Sequence, residues 1–248
     1  MEFLDVIGAD GGRGVVAGRV DQPQALRYLG HTGQQMDPEL QERFQGHVRA
    51  CEEEMRASYC WRILPVELGM RYGLPVTLVA GGALELPGMR LARHLRGAVA
   101  VVLVAATLGF DCQRQLDQLG AVSPTDQLLR STCASTLVES GLDFARTELD
   151  RMLAPAALHT GPPYAPGYGD LPVDVQPAFV ELLGAGRSIG LSTTQANMLV
   201  PEKSVTACLG VFPADMTPPD ERVNAVPCDN CSNRYSCKLR MKGLTCYD

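Results

Sequence analysis

A chain of 248 residues with 46% hydrophobic and 20% charged residues is long enough to bury a substantial core, and this composition excludes disorder as its main state. A formal net charge of -6 and a pI near 5.3 leave no large positive field, which argues against a nucleic-acid partner and for a small molecule or another protein. The start, Met1-Glu2-Phe3-Leu4-Asp5, lacks the basic segment and apolar run of a secretory signal; the longest apolar run, Ala98 to Phe110, is 13 residues, where a membrane span takes about 20. A cytoplasmic protein without membrane contact is expected, with its nine cysteines acting as thiols, metal ligands or redox groups.

In chain order, Gly8, Gly11, Gly12 and Gly14 lack the spacing of a phosphate-binding loop and read as a flexible turn. Asp37-Pro38-Glu39 starts a helix, with Asp as cap and Pro at the first helical position. The helix is predicted to run to about Ala57, burying Leu40, Phe44, Val48, Cys51 and Met55. Pro75 to Ala80 and Ala98 to Thr107 read as interior strands, with a short helix between them at Met89 to Leu95; its arginines 90, 93 and 96 face water and its His94 is structural. Ser123-Pro124-Thr125-Asp126 has capping-box spacing, and Leu129, Cys133, Leu137, Gly141 and Phe144 carry a long helix to about Leu153, with Gly141 permitting close backbone approach. Prolines 155, 162, 163, 166 and 172 make the next segment a rigid, exposed loop. A short helix, Val173 to Leu183, then stops at Gly184, and Ser204 to Phe212 alternates as a half-exposed strand. Because helices and strands do not alternate regularly, the expected class is α+β with a mixed or antiparallel sheet.

Four segments taken together carry a resemblance: Leu26-Arg27-Tyr28-Leu29-Gly30, Ala105-Ala106-Thr107-Leu108-Gly109, Ala165-Pro166-Gly167-Tyr168-Gly169-Asp170, and Val200-Pro201-Glu202-Lys203-Ser204-Val205. In this order, over roughly residues 23 to 246, the chain resembles the activation domain of cobalamin-dependent methionine synthase and its free-standing bacterial relatives. The resemblance implies a C-shaped α+β fold with a bent, mostly antiparallel sheet. It divides the chain into an N-terminal segment (1–22), an activation-like domain (23–226) and a cysteine-rich metal-binding tail (227–248).

The function it implies is that of a reactivation subunit. Such a module binds S-adenosylmethionine and offers its methyl group to a corrinoid on a separate partner, after an electron-donor protein has returned cobalt(II) to cobalt(I). The sequence is compatible with that division of labour, because none of His31, His47, His94 and His159 has the Asp-x-His-x-x-Gly context of a corrinoid-binding protein. The barrels that handle homocysteine and folate each need about 250 residues and do not fit in this chain.

In the family the ligand loop reads Arg-x-x-Pro-Gly-Tyr, and the resemblance makes Ala165, Pro166, Gly167 and Tyr168 ligand contacts, with Glu139 as the acid for the ligand amino group. The arginine position holds Pro163, which cannot form the two-pronged contact to a carboxylate, and Gln195 stands where relatives often carry Glu. Read as structure alone, Tyr168 anchors a tight turn and Glu139 is a solvated helix acid.

Cys228, Cys231, Cys237 and Cys246 are four thiols within one short tail, a density that points to a metal site, either an iron-sulfur cluster or zinc, with free thiols or a redox disulfide as the other readings. Arg234, Lys238, Arg240 and Lys242 among them either offset thiolate charge or form a docking patch for an acidic electron donor. Two rival functions stand beside reactivation of methionine synthase: reactivation of another corrinoid methyltransferase, and a non-catalytic sensor or scaffold that has lost the ligand. Hydrolase chemistry is disfavoured, His-Glu-x-x-His being absent.

Overall fold

The structure is a computed structural model that describes residues 10–31, 33–219, 235 and 240–242. Its first element corrects the turn expected at the glycines. β1 (Gly11–Val16) is a strand paired antiparallel with β2 (Ala57–Leu64), Gly12 opposite Trp61 and Gly14 opposite Tyr59. A Cβ at Gly12 would stand 2.7 Å from the Trp61 ring, so the glycines make room for aromatic side chains lying across the strand.

α1 (Gln22–Tyr28) is capped by Asp21, and α2 (Pro38–Glu54) by Asp37, whose carboxylate accepts from the Glu39 and Leu40 amides. α2 ends short of the predicted Ala57, which instead opens β2; Phe44, Val48, Cys51 and Met55 are buried as their spacing requires. β3 (Val66–Arg71), β4 (Leu74–Val79) and β5 (Leu84–Pro87) form a small antiparallel sheet in that order, followed by α3 (Met89–His94) and β6 (Ala100–Thr107). α4 (Gly109–Val122) leads into the long α5 (Pro124–Leu153), where Ser123 accepts the Asp126 amide at 3.3 Å. A Cβ at Gly141 would lie 2.6 Å from the Cβ of Ala57, the close approach anticipated there. Phe144 departs from the stripe: it is 42% exposed, at the rim of the helix, with its ring tilted against Tyr59.

The segment after α5 is not wholly loop. β7 (Leu158–Thr160) pairs with β10 (Ser204–Pro213); between them lie α6 (Gln176–Leu183), α7 (Ala185–Ile189) and the small ribbon of β8 (Ser192–Thr193) and β9 (Leu199–Val200). α6 ends at Gly184 in the left-handed conformation, as predicted.

The main sheet runs β1-β2-β6-β10-β7, every neighbouring pair antiparallel, and curls into a half-barrel. α+β with a bent antiparallel sheet is therefore the observed class. Alternate residues of β6 divide the core: Val102, Val104 and Ala106 meet α2 and α5 on one face, and Val101, Leu103 and Ala105 meet Leu91, Leu171 and Phe179 on the other. The same two layers enclose β10 from Thr206 to Phe212, correcting the half-exposed strand read from its alternation. Its polar Thr206 is satisfied inside by Gln176 at 2.8 Å. Among the described residues no helix is long and apolar enough to cross a membrane.

Candidate ligand-binding site

The proline-rich segment wraps from the edge of the main sheet onto the face occupied by α3 and α6, and its anchor is Tyr164. This residue is buried, and its backbone bridges Cys208 of β10 in both directions at 2.9 Å. The His94 ring lies 5.1 Å from the Tyr164 ring and its Nε2 reaches the Pro162 carbonyl at 2.9 Å. Burial holds the His94 imidazole below its ordinary pKa, so it is neutral and donates that hydrogen bond. The structural role expected for His94 is therefore what it has.

Past Tyr164 the loop tightens on itself. The Tyr168 amide donates to the Ala165 carbonyl at 3.0 Å and the Gly167 amide to the Leu171 carbonyl at 2.7 Å, with Gly167 and Gly169 at positive φ. Asp170 locks it to α3: Oδ1 accepts from the Tyr164 hydroxyl at 3.1 Å and Oδ2 from the Arg90 amide at 2.8 Å. Burial, above all, pushes the Tyr164 phenol above its usual range. The result is a rigid turn that keeps Tyr168 half exposed, its ring edge-on to Tyr164 at 5.5 Å.

Pro163 adds no charge to this turn, but α3 does. The Arg90 side chain runs beside Gly169, its Cδ 3.6 Å from where a Cβ would be, and Arg90 makes no ion pair among the described residues. Its arginine was read from sequence only as a solvated charge; no spacing rule connects residue 90 to residue 169.

Glu139 stands elsewhere, on the face of α5 that meets α1. The Tyr28 hydroxyl donates to its Oε1 at 3.0 Å, and partial burial raises its carboxyl above the ordinary range. The first of the four fingerprint segments thus meets Glu139 through Tyr28. The second and fourth are zipped together: Ser204 opposes Thr107, the two hydroxyls are 2.7 Å apart, and the Leu108 amide donates to the Lys203 carbonyl at 2.9 Å. Lys203 is nearly buried, with Nζ 3.2 Å from the Ser135 hydroxyl of α5. Gln195 is exposed at the tip of the β8–β9 ribbon.

Cys228, Cys231, Cys237 and Cys246 lie outside the described residues, and among those described no group of His, Cys, Asp and Glu is placed to hold a metal ion. Gly186-Arg187-Ser188-Ile189-Gly190 has the letter spacing of a hydrolase nucleophile elbow, but it follows α6 and forms the short helix α7, not a strand-to-helix turn.

No protein-family model and no curated protein matches the chain. Among solved structures it is similar to the MetH reactivation domain bound to AdoHcy, at 15% identity and a TM-score of 0.58, over 94% of this chain and 86% of that one. The fold is that of the MetH reactivation domain. The reactivation-domain fold accounts for a half-barrel sheet with α5 across one face and the 161–172 loop held against the other.

Proposed function

We propose that this chain is a reactivation module that binds S-adenosylmethionine and presents its methyl group to a corrinoid held by a partner, as in cobalamin-dependent methionine synthase. The observation that carries the reading is the likeness along nearly the whole chain to a reactivation domain that binds AdoHcy, the product left when S-adenosylmethionine gives up its methyl. The rigid 165–168 turn adds support. It offers an exposed aromatic face at Tyr168, fixed by Tyr164 and Asp170, and loop backbone that a flat nucleoside can approach.

The residues fit the ligand with one substitution of part. A guanidinium is the group of choice for a carboxylate, and Arg90 brings one to this turn from α3 in place of the missing residue at 163. Glu139 is an acid for the ligand amino group only if the ligand extends toward α1, since its present partner is Tyr28. The bound sulfonium supplies the methyl; the chain's part is to position it and exclude side reactions, while a donor protein supplies one electron to the partner's cobalt. In the same reading the tail thiols Cys228, Cys231, Cys237 and Cys246 hold an iron-sulfur cluster or zinc.

Calorimetry with S-adenosylmethionine and S-adenosylhomocysteine tests the binding step, and methyl transfer to a methionine synthase core lacking its own reactivation domain tests the function. Binding of neither ligand sinks the reading. Pro163 favours a second one, a scaffold that keeps the fold without the ligand, and transfer activity separates them. Stimulation of a different corrinoid methyltransferase in place of methionine synthase would redirect the partner and keep the chemistry.

A further inference from the structure

The small sheet leaves β3 as an edge strand that exposes large apolar side chains beside the charged Glu67 and Arg71. Leu68 is 47% exposed, Met70 67% and Tyr72 97%, all on one short hairpin. Natural edges are ordinarily blunted by charge, proline or a covering element, because unpaired amides and carbonyls invite another strand. Tyr72 also sits at φ 52, a left-handed conformation that a bulky side chain adopts at a cost, followed by Gly73 at φ 78.

We infer that β3 pairs antiparallel with β3 of a second copy of this chain, joining two three-stranded sheets into one of six strands. The hairpin geometry selects the register. With both turn residues at positive φ, the closing pair Arg71 and Leu74 is the hydrogen-bonded pair of a two-residue hairpin, so Gly69 and Glu67 also face β4. Leu68 and Met70 then direct their amides and carbonyls outward. A two-fold axis through Gly69 makes those outward groups meet, Leu68 opposite Met70 of the other copy.

The same register places Glu67 opposite Arg71 of the other copy, twice, once on each side of the axis. Both residues lie on one face of the sheet, because pairing partners always do. Val66 falls opposite the turn that follows Arg71 of the other copy, where Tyr72 is exposed. Charge and hydrogen-bonding direction therefore agree on one self-complementary arrangement, which is what an isologous interface requires. Arg71 already pairs with Glu85 of its own sheet and would lie between two carboxylates in the dimer. The ribbon is short, so the association is weak and depends on concentration.

Sedimentation velocity across roughly 1 to 100 μM should show the wild type shifting from monomer to dimer. Glu67→Arg alone sets arginine against arginine at both ends of the ribbon, and Arg71→Glu alone sets glutamate against glutamate; each should weaken dimerisation by roughly tenfold or more. Mixing the two single variants restores opposite charges at both ends, so a heterodimer should form where neither variant dimerises by itself. Unfolding of either variant is checked by its circular dichroism, and recovery on mixing cannot come from a misfolded chain. A wild type that stays monomeric throughout overturns the inference and leaves this edge to a different protein; so does a wild-type dimer that survives both single substitutions.

Discussion

The carboxylate of Asp170 accepts the backbone amide of Arg90 at 2.8 Å, so a loop residue supplies the N-terminal cap that α3 lacks in its own sequence. Gly88, at the cap position, has no side chain to offer, and a Cβ there would stand 2.7 Å from Asp170 Oδ1. Removing the carboxylate frees the Tyr164 hydroxyl and uncaps α3 at once. Asp170→Ala should cost about 1 to 2 kcal/mol in chemical denaturation. Asp170→Asn, which keeps an acceptor, should recover part of it. Equal stability of all three proteins would show that the loop is not held by this contact.

Arg90 and Pro163 make opposite predictions for ligand affinity. Arg90→Ala should weaken S-adenosylmethionine binding by roughly ten- to a hundredfold, and Pro163→Arg should tighten it by a similar factor, each reflecting one charge-assisted contact of ~1.5 to 3 kcal/mol. Calorimetry on the two variants and the wild type decides. No change in either variant would separate the 161–172 loop from the binding site.

Gly141 allows α5 to touch the sheet at Ala57 and Ala106, and any side chain there has to push the helix away. Gly141→Val should destabilise by about 1 to 3 kcal/mol or prevent folding, against the small gain in helix propensity that replacing glycine brings at an open position. Gly46, in the middle of α2 with nothing near its Cβ position, is the control. Gly46→Ala should stabilise by about 0.5 to 1 kcal/mol in the same denaturation experiment.

Asp126 joins α2 to the start of α5: His47 Nε2 lies at 3.0 Å, Arg43 Nη2 at 2.9 Å, and the Ser123 hydroxyl also bonds it. These partners, His47 first, hold its carboxyl well below the usual carboxylate range. A depressed folded-state pKa contributes stability that is present above the unfolded value, near ~4, and is lost as pH falls through the folded value. The stability gap between wild type and Asp126→Asn should be full at pH 7 and shrink progressively as pH falls from about 4 toward the much lower folded value. A gap that is constant with pH would mean the carboxylate charge does not matter.

Burial pushes the Cys60, Cys112 and Cys208 thiols up to about 12. At pH 8 they carry almost no thiolate, and with Cys51 and Cys133 they are buried in the described core. Alkylation read by mass spectrometry should leave all five unmodified in native protein and modify them on unfolding. Anaerobically purified protein should carry iron and sulfide on the tail cysteines, both lost in Cys231→Ser. Stoichiometric zinc without iron would make the tail a structural staple.

What the sequence determined by itself is local. Asp37-Pro38-Glu39, Ser123 and Gly184 mark helix ends because a cap bonds amides within a few residues of itself, and the stripe Phe44, Val48, Cys51 and Met55 names one buried face. Ala98 to Thr107 reads as an interior strand, found as Ala100–Thr107, because a strand covered on both faces is apolar at nearly every position. Only the tertiary structure decided the matters that depend on residues far apart in the chain. Alternation in Ser204 to Phe212 could not reveal the second layer of helices that buries most of it, and Gly12 and Gly14 looked like a turn until Trp61 and Tyr59 were seen opposite them. The candidate site divides the same way. Ala165 to Tyr168 was visible as a motif, whereas the cap from Asp170 to Arg90 and the placing of Arg90 beside Gly169 follow from packing across a separation of about eighty residues, which no local spacing encodes.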